Sequence, residues 1–358
     1  MSKKWQRWAG FLLVLVCALL AAFVPVRAAT AHDEADIRAI MNQAFASGDL
    51  EVSITVDRTF SVNEYQAKQE ADSYARELIG LLEETALKNG KLMSGHSYSC
   101  VIAGGRTVTY KFDISPEFTK KVTVLTSENM AYKQALKALK KRAYSTNFYA
   151  ENGMYYDTFY LALQHHPEYD YSLAIWRSTD GTFGYRPSGR LSASDIKSEM
   201  TKTDAKADAI IDKIIKKGMT SKQKLKAIHD YLVKNCAYDE VGMKDEGGDA
   251  YTAYGCLVKK KAVCKGYAAA FNLLASKAGI PSITVAGEAG GDSHGWNYVK
   301  CGSAYRYIDV TWDDPVPDRG SKAAVSRKYF YLTQKQLEKI NTHTWDKTEH
   351  AKKYVNMA

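Results

Sequence analysis

The sequence predicts an α+β protein in which a helix bearing a cysteine packs on an antiparallel sheet, preceded by a separate α+β domain. A helical pattern at Ala269–Lys277 follows Cys264, and two runs that alternate polar and apolar residues come next, at 292–299 and 304–310. Residues 32–190 show helical and strand patterns in turn. Helices mixed with antiparallel strands along one chain are typical of α+β folds.

The composition is that of an ordinary folded protein. The chain has 358 residues, of which 46% are hydrophobic and 25% charged, so wholesale disorder and a multi-span membrane protein are excluded. This length suggests about two domains, or three small ones. The formal net charge is +9, and Lys3, Lys4, Arg7 and Arg27 near the amino terminus supply part of it. A surplus this small and scattered does not indicate nucleic-acid binding.

The segment Met1–Ala28 has the layout of a secretory signal peptide. Basic residues precede an apolar run from Ala9 to Val26, and small residues follow at Ala28 and Ala29. A retained membrane anchor is the alternative, because the run approaches the length that spans a bilayer. Cys17 lies in the middle of the run, which argues against lipid modification. We expect cleavage, and therefore a secreted or cell-envelope (extracytoplasmic) protein that meets a membrane only through this segment if it is retained.

Residues 29–190 are predicted to form an α+β domain of unknown role with two similar halves. The first half offers a helix, a strand, a helix and a hairpin; the second offers two helices and a hairpin in a similar order. The hairpins turn at Gly104-Gly105 and at Asp180-Gly181, which are typical turn pairs. We suggest a duplicated helix–strand–helix–hairpin unit. The predicted elements are Asp33–Ala46, Leu50–Val56, Glu64–Lys88, Ser97–Ala103 and Thr107–Ile114, then Met130–Tyr144, Tyr156–His165, Tyr169–Arg177 and Thr182–Arg186.

A change in composition near residue 190 predicts the start of the second domain, residues 191–358. Polar residues and helix formers dominate between Pro187 and Ser221. An amphipathic helix is predicted at Ala207–Lys217, and Gly218 suits its carboxyl-terminal cap. Thr220 is a typical residue to open the next helix, which extends to about residue 235.

Cys264 is the candidate nucleophile, because it stands at the start of the predicted helix that ends near Gly279. Unpaired backbone N–H groups and the helix dipole favour a thiolate there. Such a position lowers a thiol pKa from about 8.5 to roughly 3.5–7.5. The same N–H groups could stabilise an oxyanion on an attacked carbonyl.

His294 and Asp309 are the candidate partners of Cys264. His294 begins the strand predicted in the first alternating run, and Asp309 lies near the end of the second. If the two runs form a hairpin that turns near Lys300–Ser303, His294 faces Asp309, with Cβ atoms about 4.5–5.5 Å apart. The carboxylate can then hold one imidazole nitrogen while the other faces Cys264.

Five cysteines remain once Met1–Ala28 is removed, and this odd count leaves at least one thiol unpaired. Two of Cys100, Cys236, Cys256 and Cys301 could form a disulfide, but the sequence does not select the pair. The cysteines are too few for a disulfide scaffold, so a hydrophobic core must hold the fold.

These residues resemble the transglutaminase-like superfamily, a branch of the papain-like cysteine enzymes with the order Cys, His, Asp, and in particular its exported bacterial members. The resemblance covers about residues 205–345 and implies that Cys264 is the nucleophile, His294 the general acid/base and Asp309 the residue that orients it. It also implies a papain-like/transglutaminase-like core. The family often has alanine where this chain has Gly295. The matching blocks are Val263-Cys264-Lys265-Gly266-Tyr267-Ala268, His294-Gly295-Trp296-Asn297-Tyr298-Val299 and Asp309-Val310-Thr311-Trp312-Asp313-Asp314-Pro315, with a looser fit at Tyr329-Phe330-Tyr331-Leu332 and His343.

The resemblance leaves the second oxyanion donor open. Animal transglutaminases use an upstream tryptophan, and this chain has no tryptophan between Trp176 and Trp296. Tyr254 is the candidate substitute, and Trp296 is a candidate for oxyanion or substrate contact. Aromatic residues that alternate along strands are more often core than cleft, however, so burial is the favoured interpretation of Trp296, Trp312 and Tyr298.

We therefore expect an exported, cysteine-dependent acyl-transfer enzyme acting on amide bonds of protein, peptide or cell-wall peptide substrates, with hydrolysis ranked ahead of cross-linking. The alternative is a non-catalytic surface adaptor with a vestigial triad, although the intact Cys264, His294 and Asp309 count against it. No cofactor and no metal are expected, because neither the His165-His166 pair nor His96 has further ligands at metal spacing. Asp313 to Pro315 favour a turn that ends the strand.

Overall fold

In the computed structural model, the chain forms two compact units, Met1–Val124 and Leu125–Ala358. The structure describes residues 29–61, 63–103, 107–142, 147–169, 173–314, 325–346 and 350–358. The predicted signal peptide, the turn at Gly104-Gly105 and Pro315 lie outside these residues. Among the helices within them, none is both long and apolar enough to cross a membrane.

The first unit packs two helices against a sheet of strand order β1-β2-β5-β4. Strand β1 runs parallel to β2, the other neighbours are antiparallel, and β3 pairs with β6. Met41 and Leu78 of the helices bury their side chains against Ile54 and Tyr110 of the sheet. The elements are β1 (Ala29–Ala31), α1 (Glu34–Ser47), β2 (Glu51–Asp57), α2 (Glu64–Lys88), β3 (Lys91–Met93), β4 (Tyr98–Ala103), β5 (Thr107–Asp113), β6 (Thr119–Lys121) and β7 (Thr123–Val124).

The second unit begins with a segment that repeats the order of the first. Strand β10 pairs antiparallel with both β8 and β9, just as β5 pairs with both β2 and β4. The strand between the two helices, which no sequence pattern marked in this half, is the short β8. The two segments share this order and pairing, and the suggested duplication stays a prediction. The elements are α3 (Glu128–Lys140), β8 (Phe148–Tyr149), α4 (Tyr156–His165), β9 (Leu173–Arg177) and β10 (Thr182–Pro187).

The rest of the second unit is a cysteine-bearing helix packed on an antiparallel sheet, so the α+β class is confirmed. The sheet has the order β15-β14-β13-β16, and helix α7 packs on β13 and β14. The elements are α5 (Ala193–Ile214), α6 (Ser221–Asn235), β11 (Ala237–Tyr238), β12 (Lys261–Ala262), α7 (Cys264–Lys277), β13 (Ser282–Ala289), β14 (Asp292–Cys301), β15 (Ala304–Ile308), α8 (Val310–Asp313), α9 (Gln334–Ile340), β16 (His343–Trp345) and α10 (His350–Val355), with a π-helical turn at Gly255–Lys259 and 3-10 turns at Gly242–Lys244 and Asp249–Tyr251.

Helices begin at capping residues that are visible in the sequence. The Ser192 side chain accepts an N–H at the start of α5, which is longer than the predicted helix because it continues from this cap. Thr220 and Gln223 form a reciprocal capping box at the start of α6. Helix α1 ends at Gly48, whose φ of 76° is one that glycine adopts at low cost.

The division between the units lies at Val124–Leu125, well before the boundary expected near residue 190. The reason is a shared core: Phe159 and Phe183, from the segment before residue 190, belong to the same hydrophobic cluster as Val285 and Trp296 of the second sheet. A polar composition near residue 190 therefore marks the exposed face of α5 rather than a linker between cores.

Candidate active site

Cys264 is the first residue of α7, as predicted. Its side chain is half-buried, and Val263, which precedes the helix, supplies no side-chain cap. The first N–H groups of a helix have no carbonyl partner within the helix. An acceptor beside Cys264 therefore faces backbone donors and the positive end of the helix dipole.

His294 lies on β14 and is only 8% exposed. Its imidazole is hydrogen-bonded to the Cys264 thiol, and the Gly295 N–H donates to the same sulfur. The strand thus presents two successive residues to the start of α7. Glycine at 295 serves this contact as well as alanine would, because the donor is a backbone group.

Asp309 is 2% exposed and holds His294 from the other side. The Nε2–H of His294 donates to Asp309 Oδ2 over 2.7 Å. Asp309 also caps α8, since its Oδ1 accepts the Trp312 N–H at 3.1 Å. Both carboxylate oxygens therefore have fixed donors, and the three predicted residues converge on one site.

The hairpin that carries His294 differs by two residues from the predicted register. Strand β14 pairs with β15 so that Asn297 lies opposite Ile308, and the turn is centred between Gly302 and Ser303. Asp309 therefore lies beyond the end of β15 and is not directly opposite His294. A shift of two residues keeps each side chain on the same face of the sheet, so the carboxylate still reaches the imidazole.

Two buried amides hold the cysteine helix against the histidine strand. Asn297, on β14, donates to the carbonyl oxygen of Ala268 at 3.0 Å and to Asn272 Oδ1 at 2.8 Å, both on α7. Asn272 and Asn297 are each 1% exposed. Sliding α7 along β14 would break these buried hydrogen bonds, so the amide pair maintains the contact between Cys264 and His294.

The electrostatics of the site favour a thiolate beside an imidazolium. Burial alone would raise the pKa of Cys264, but the hydrogen bond and charge of His294 together with the Gly295 N–H lower it below its usual value. Burial opposes the charged form of His294, yet Asp309 and Cys264 raise its pKa to about 10. Burial likewise opposes ionisation of Asp309, and the His294 charge and the hydrogen bonds lower its pKa to about 2.

The transglutaminase-like superfamily profile matches residues 208–312, which include Cys264, His294 and Asp309. The chain carries a transglutaminase-like domain. No curated protein matches the chain at a significant level.

Solved structures similar to the chain include a TGase, with 14% sequence identity and a TM-score of 0.32 over 85% of this chain and 64% of that one. A candidate protease from Parabacteroides distasonis has 12% identity and a TM-score of 0.26 over 76% of this chain and 41% of its own. A candidate cysteine protease from Cytophaga hutchinsonii has 12% identity and a TM-score of 0.27 over 66% and 75%. The chain thus spans less than two thirds of the first two, and similarity at this level carries no information about activity.

A second histidine binds the aspartate of the transglutaminase-like domain. His343, on β16, is fully buried and directs Nε2 at Asp309 Oδ2 over 2.9 Å, while its Nδ1 lies 2.8 Å from Thr342 Oγ1. Because an ionised carboxylate only accepts, both imidazoles donate to the same oxygen. His343 was visible in the sequence only as a loosely fitting part of the resemblance.

Replacing His343 with leucine should destabilise the protein by about 1.5–3 kcal/mol, because the buried carboxylate loses one charged hydrogen bond. Without the His343 hydrogen bond, Asp309 is protonated more easily and supports the His294 imidazolium less well. The acid side of the pH profile of Cys264 alkylation should therefore move to higher pH. His343→Gln keeps an N–H donor and should shift the profile less. Rates of iodoacetamide labelling across pH test this; identical profiles for both variants and the wild type would contradict it.

His294, Asp309 and His343 also bring three ligand atoms within 4.8 Å of one another. Two imidazoles and one carboxylate form a donor set that transition metals accept. The structure therefore places a chemically suitable ligand set where none was expected from the sequence. The same nitrogen and oxygen atoms make the hydrogen bonds described above, so a metal here would compete with the contacts that orient His294.

Trp296 does not line a cleft. It is 1% exposed, its ring stacks on His294 with centroids 5.7 Å apart, and it meets His343 edge-on at 4.9 Å. Trp296 and Tyr298 are buried, as the favoured interpretation predicts. The suggestion that Trp296 contacts a substrate is therefore corrected. Trp312 is half-buried and its ring lies 6.2 Å from that of His294, so it can face a substrate.

Among the described contacts, none joins Tyr254 to Cys264. The ring lies 5.6 Å from the Lys259 ammonium, and the residue lines a cavity of about 90 Å³ with Lys140, Arg142 and Asp204. Tyr238 interacts electrostatically with Cys264: burial first, and then the charge of Cys264, raise the pKa of Tyr238 to about 12. The sequence contains no pattern that marks Tyr238, because its place depends on the pairing of β11 with β12.

All five described cysteines are free thiols. The sequence left a disulfide between two of four cysteines open, and the structure has none among Cys100, Cys236, Cys256 and Cys301. Cys236 and Cys256 are hydrogen-bonded neighbours in the core, where burial raises the pKa of Cys256 well above its usual value. A buried thiol of this kind is unreactive, which leaves Cys264 as the described cysteine with a lowered pKa.

Proposed function

We propose that the protein is an exported, cysteine-dependent acyl-transfer enzyme that acts on amide bonds of peptide or cell-wall peptide substrates. The observation that carries the proposal is the chain of contacts from the Cys264 thiol to His294 and on to Asp309 at 2.7 Å. The amino-terminal layout of a signal peptide supports export, because such segments direct chains out of the cytoplasm.

The geometry supports a thioester mechanism. The Cys264 thiolate attacks the amide carbonyl, and the backbone N–H groups at the start of α7 stabilise the oxyanion. His294 gives its proton to the departing amine, and an acyl-enzyme remains. Asp309 holds the imidazole in position and stays ionised throughout.

The acceptor of the acyl group decides the activity. Water, deprotonated by His294, would release an acid, as in a peptidase or amidase; a primary amine would form a new amide, as in a transglutaminase. We rank hydrolysis ahead of cross-linking.

Acyl-enzyme formation tests the proposal. The protein, without the segment Met1–Ala28, is incubated with a library of peptide esters and amides and analysed by intact mass spectrometry after acid quenching. We expect an acyl adduct on Cys264 that is absent in Cys264→Ala and present in Cys100→Ala. Release of acid, or incorporation of a lysine analogue, then separates the two activities. Failure of every donor to form an adduct would favour a non-catalytic adaptor.

A further inference from the structure

Two exposed apolar side chains lie on the loop that runs from Asp239 to Tyr251. Val241 is 80% exposed and Met243 is 51% exposed. Among the described residues of the second unit, the other strongly exposed large hydrophobic side chains are Met154 and Tyr160, far away in sequence. Single exposed apolar residues are common, but two within three positions form a local patch.

Both ends of this loop are hydrogen-bonded to the residues that precede Cys264. The Asp239 N–H donates to the Ala262 carbonyl at 3.0 Å, and the Val263 N–H donates to the Ala250 carbonyl at 2.9 Å. The far end is also packed closely on α7, because a Cβ on Gly266 would come within 2.3 Å of the Ala250 oxygen. The patch is therefore held beside the start of the cysteine helix.

Internal contacts fix the loop although its apolar side chains are exposed. The Gly242 N–H donates to Asp239 Oδ1 at 2.9 Å, and the Tyr251 hydroxyl donates to the Met243 carbonyl at 2.8 Å. Arg190 holds Asp245 through two hydrogen bonds, of 2.8 and 2.5 Å. A surface ordered in this way is preorganised for a ligand, since little conformational freedom remains to be lost on binding.

Tyr238 connects the patch to the sulfur. Its hydroxyl contacts the Met243 thioether at 3.8 Å, and the phenol lies close enough to Cys264 for the two groups to interact electrostatically. The half-buried Tyr238 pairs with Ala262, two residues before Cys264, and so lies between the Met243 contact and the start of the cysteine helix.

We propose that Val241 and Met243 form an apolar subsite that receives a large apolar side chain of the peptide substrate, close to the bond that Cys264 attacks. This inference rests on the proposed function, and it specifies which class of peptide side chain the enzyme prefers. The two side chains offer methyl groups and a thioether whose weakly accepting sulfur already contacts the Tyr238 hydroxyl, so they favour leucine-like over serine-like side chains. Tyr238 extends the apolar surface toward the thiolate.

Peptidyl vinyl sulfones test the subsite, because the Cys264 thiolate adds to their double bond and takes up a proton without a leaving group. Acetylated dipeptide vinyl sulfones carry leucine or serine at the first or second residue before the electrophile. We expect the wild type to prefer leucine at one of these positions by about 10-fold or more in second-order inactivation rate. The Val241→Ser/Met243→Ser variant should lose most of that preference.

Iodoacetamide and a matched variant separate the possible outcomes. Labelling of Cys264 by iodoacetamide should be unchanged in the double variant, since this reagent has no side chain to bind. Met154→Ser, which alters a methionine of the same 51% exposure, should keep the leucine preference. An equal preference in wild type and double variant, or an equal loss in Met154→Ser, overturns the subsite alone. Absence of selective iodoacetamide labelling at Cys264 overturns the proposed function as well.

Discussion

Replacing His294 with alanine should slow the alkylation of Cys264 by iodoacetamide about 100-fold at roughly pH 6.5. In the wild type, the imidazolium and the Gly295 N–H offset the effect of burial and lower the pKa of Cys264. Without the imidazole, burial is opposed only by backbone N–H groups and the helix dipole, so the pKa of Cys264 rises and little thiolate remains at neutral pH.

The two proteins should also differ in the shape of their pH profiles. The wild-type rate should rise through the lowered pKa of Cys264 and then stay nearly flat until His294 loses its proton, at a pKa of about 10. The rate of the variant should keep rising about tenfold per pH unit through the neutral range, because its thiol titrates at higher pH.

Mapped labelling by mass spectrometry measures these rates. Cys100 is an internal reference, since it is half-buried and burial raises its pKa. His96→Ala is the matched control, because His96 is an exposed histidine of the first unit. Equal labelling of Cys264 in the wild type and in His294→Ala would show that the thiol is not activated by the imidazole.

Replacing Asp313 with alanine should lower the free energy of unfolding of the second unit by about 3–5 kcal/mol. Asp313 and His229 have fully buried side chains, and His229 Nε2–H donates to Asp313 Oδ2 over 3.1 Å. The same carboxylate accepts the Ser326 hydroxyl and the Tyr329 N–H. Removing it leaves the buried His229 Nε2–H and two further donors without their acceptor, while His229 Nδ1 keeps its contact with Asp230 at 3.2 Å.

The Asp313 contacts also support the triad. The Tyr329 N–H binds Asp313, and the Tyr329 carbonyl accepts the Asp309 N–H at 3.0 Å. Asp313→Ala should therefore slow Cys264 alkylation under conditions where the variant remains folded.

Tryptophan fluorescence during urea unfolding measures the decrease in the free energy of unfolding caused by Asp313→Ala, because the four tryptophans of residues 29–358 all lie in the second unit. Asp212→Ala, at an exposed position of α5, should change stability by less than about 0.5 kcal/mol. Asp313→Asn keeps the shape and one acceptor, so its loss should be intermediate. A change below about 1 kcal/mol for Asp313→Ala would contradict the importance of this buried pair.

The sequence alone predicted much of the site because its local patterns were strong. Cys264 at a helix start, and His294 and Asp309 on successive alternating runs, were found from periodicity and position. The hairpin register was displaced by two residues, since the polar turn could be centred at either of two neighbouring positions. An even shift keeps the same face toward the helix, so the convergence on Cys264 was preserved.

Residues that act through distant contacts were not accessible in this way. Asp313 was expected in a turn that ends the strand, yet it belongs to the short helix α8 and is buried against His229, 84 positions away in sequence. His343 reaches Asp309 only because β16 pairs with β13. Tyr238 lies near Cys264 only through the pairing of β11 with β12.

The sequence by itself thus determined the chemistry that is present: a helix-start thiol, an imidazole and a carboxylate in a fixed order, within an α+β chain. Only the tertiary structure decided which groups surround them, where the cores divide, and that no described cysteine is bridged. The physical reason is that helix caps and strand periodicity are local properties of a few consecutive residues. Burial, electrostatic coupling and long-range hydrogen bonds depend on which distant segments pack together.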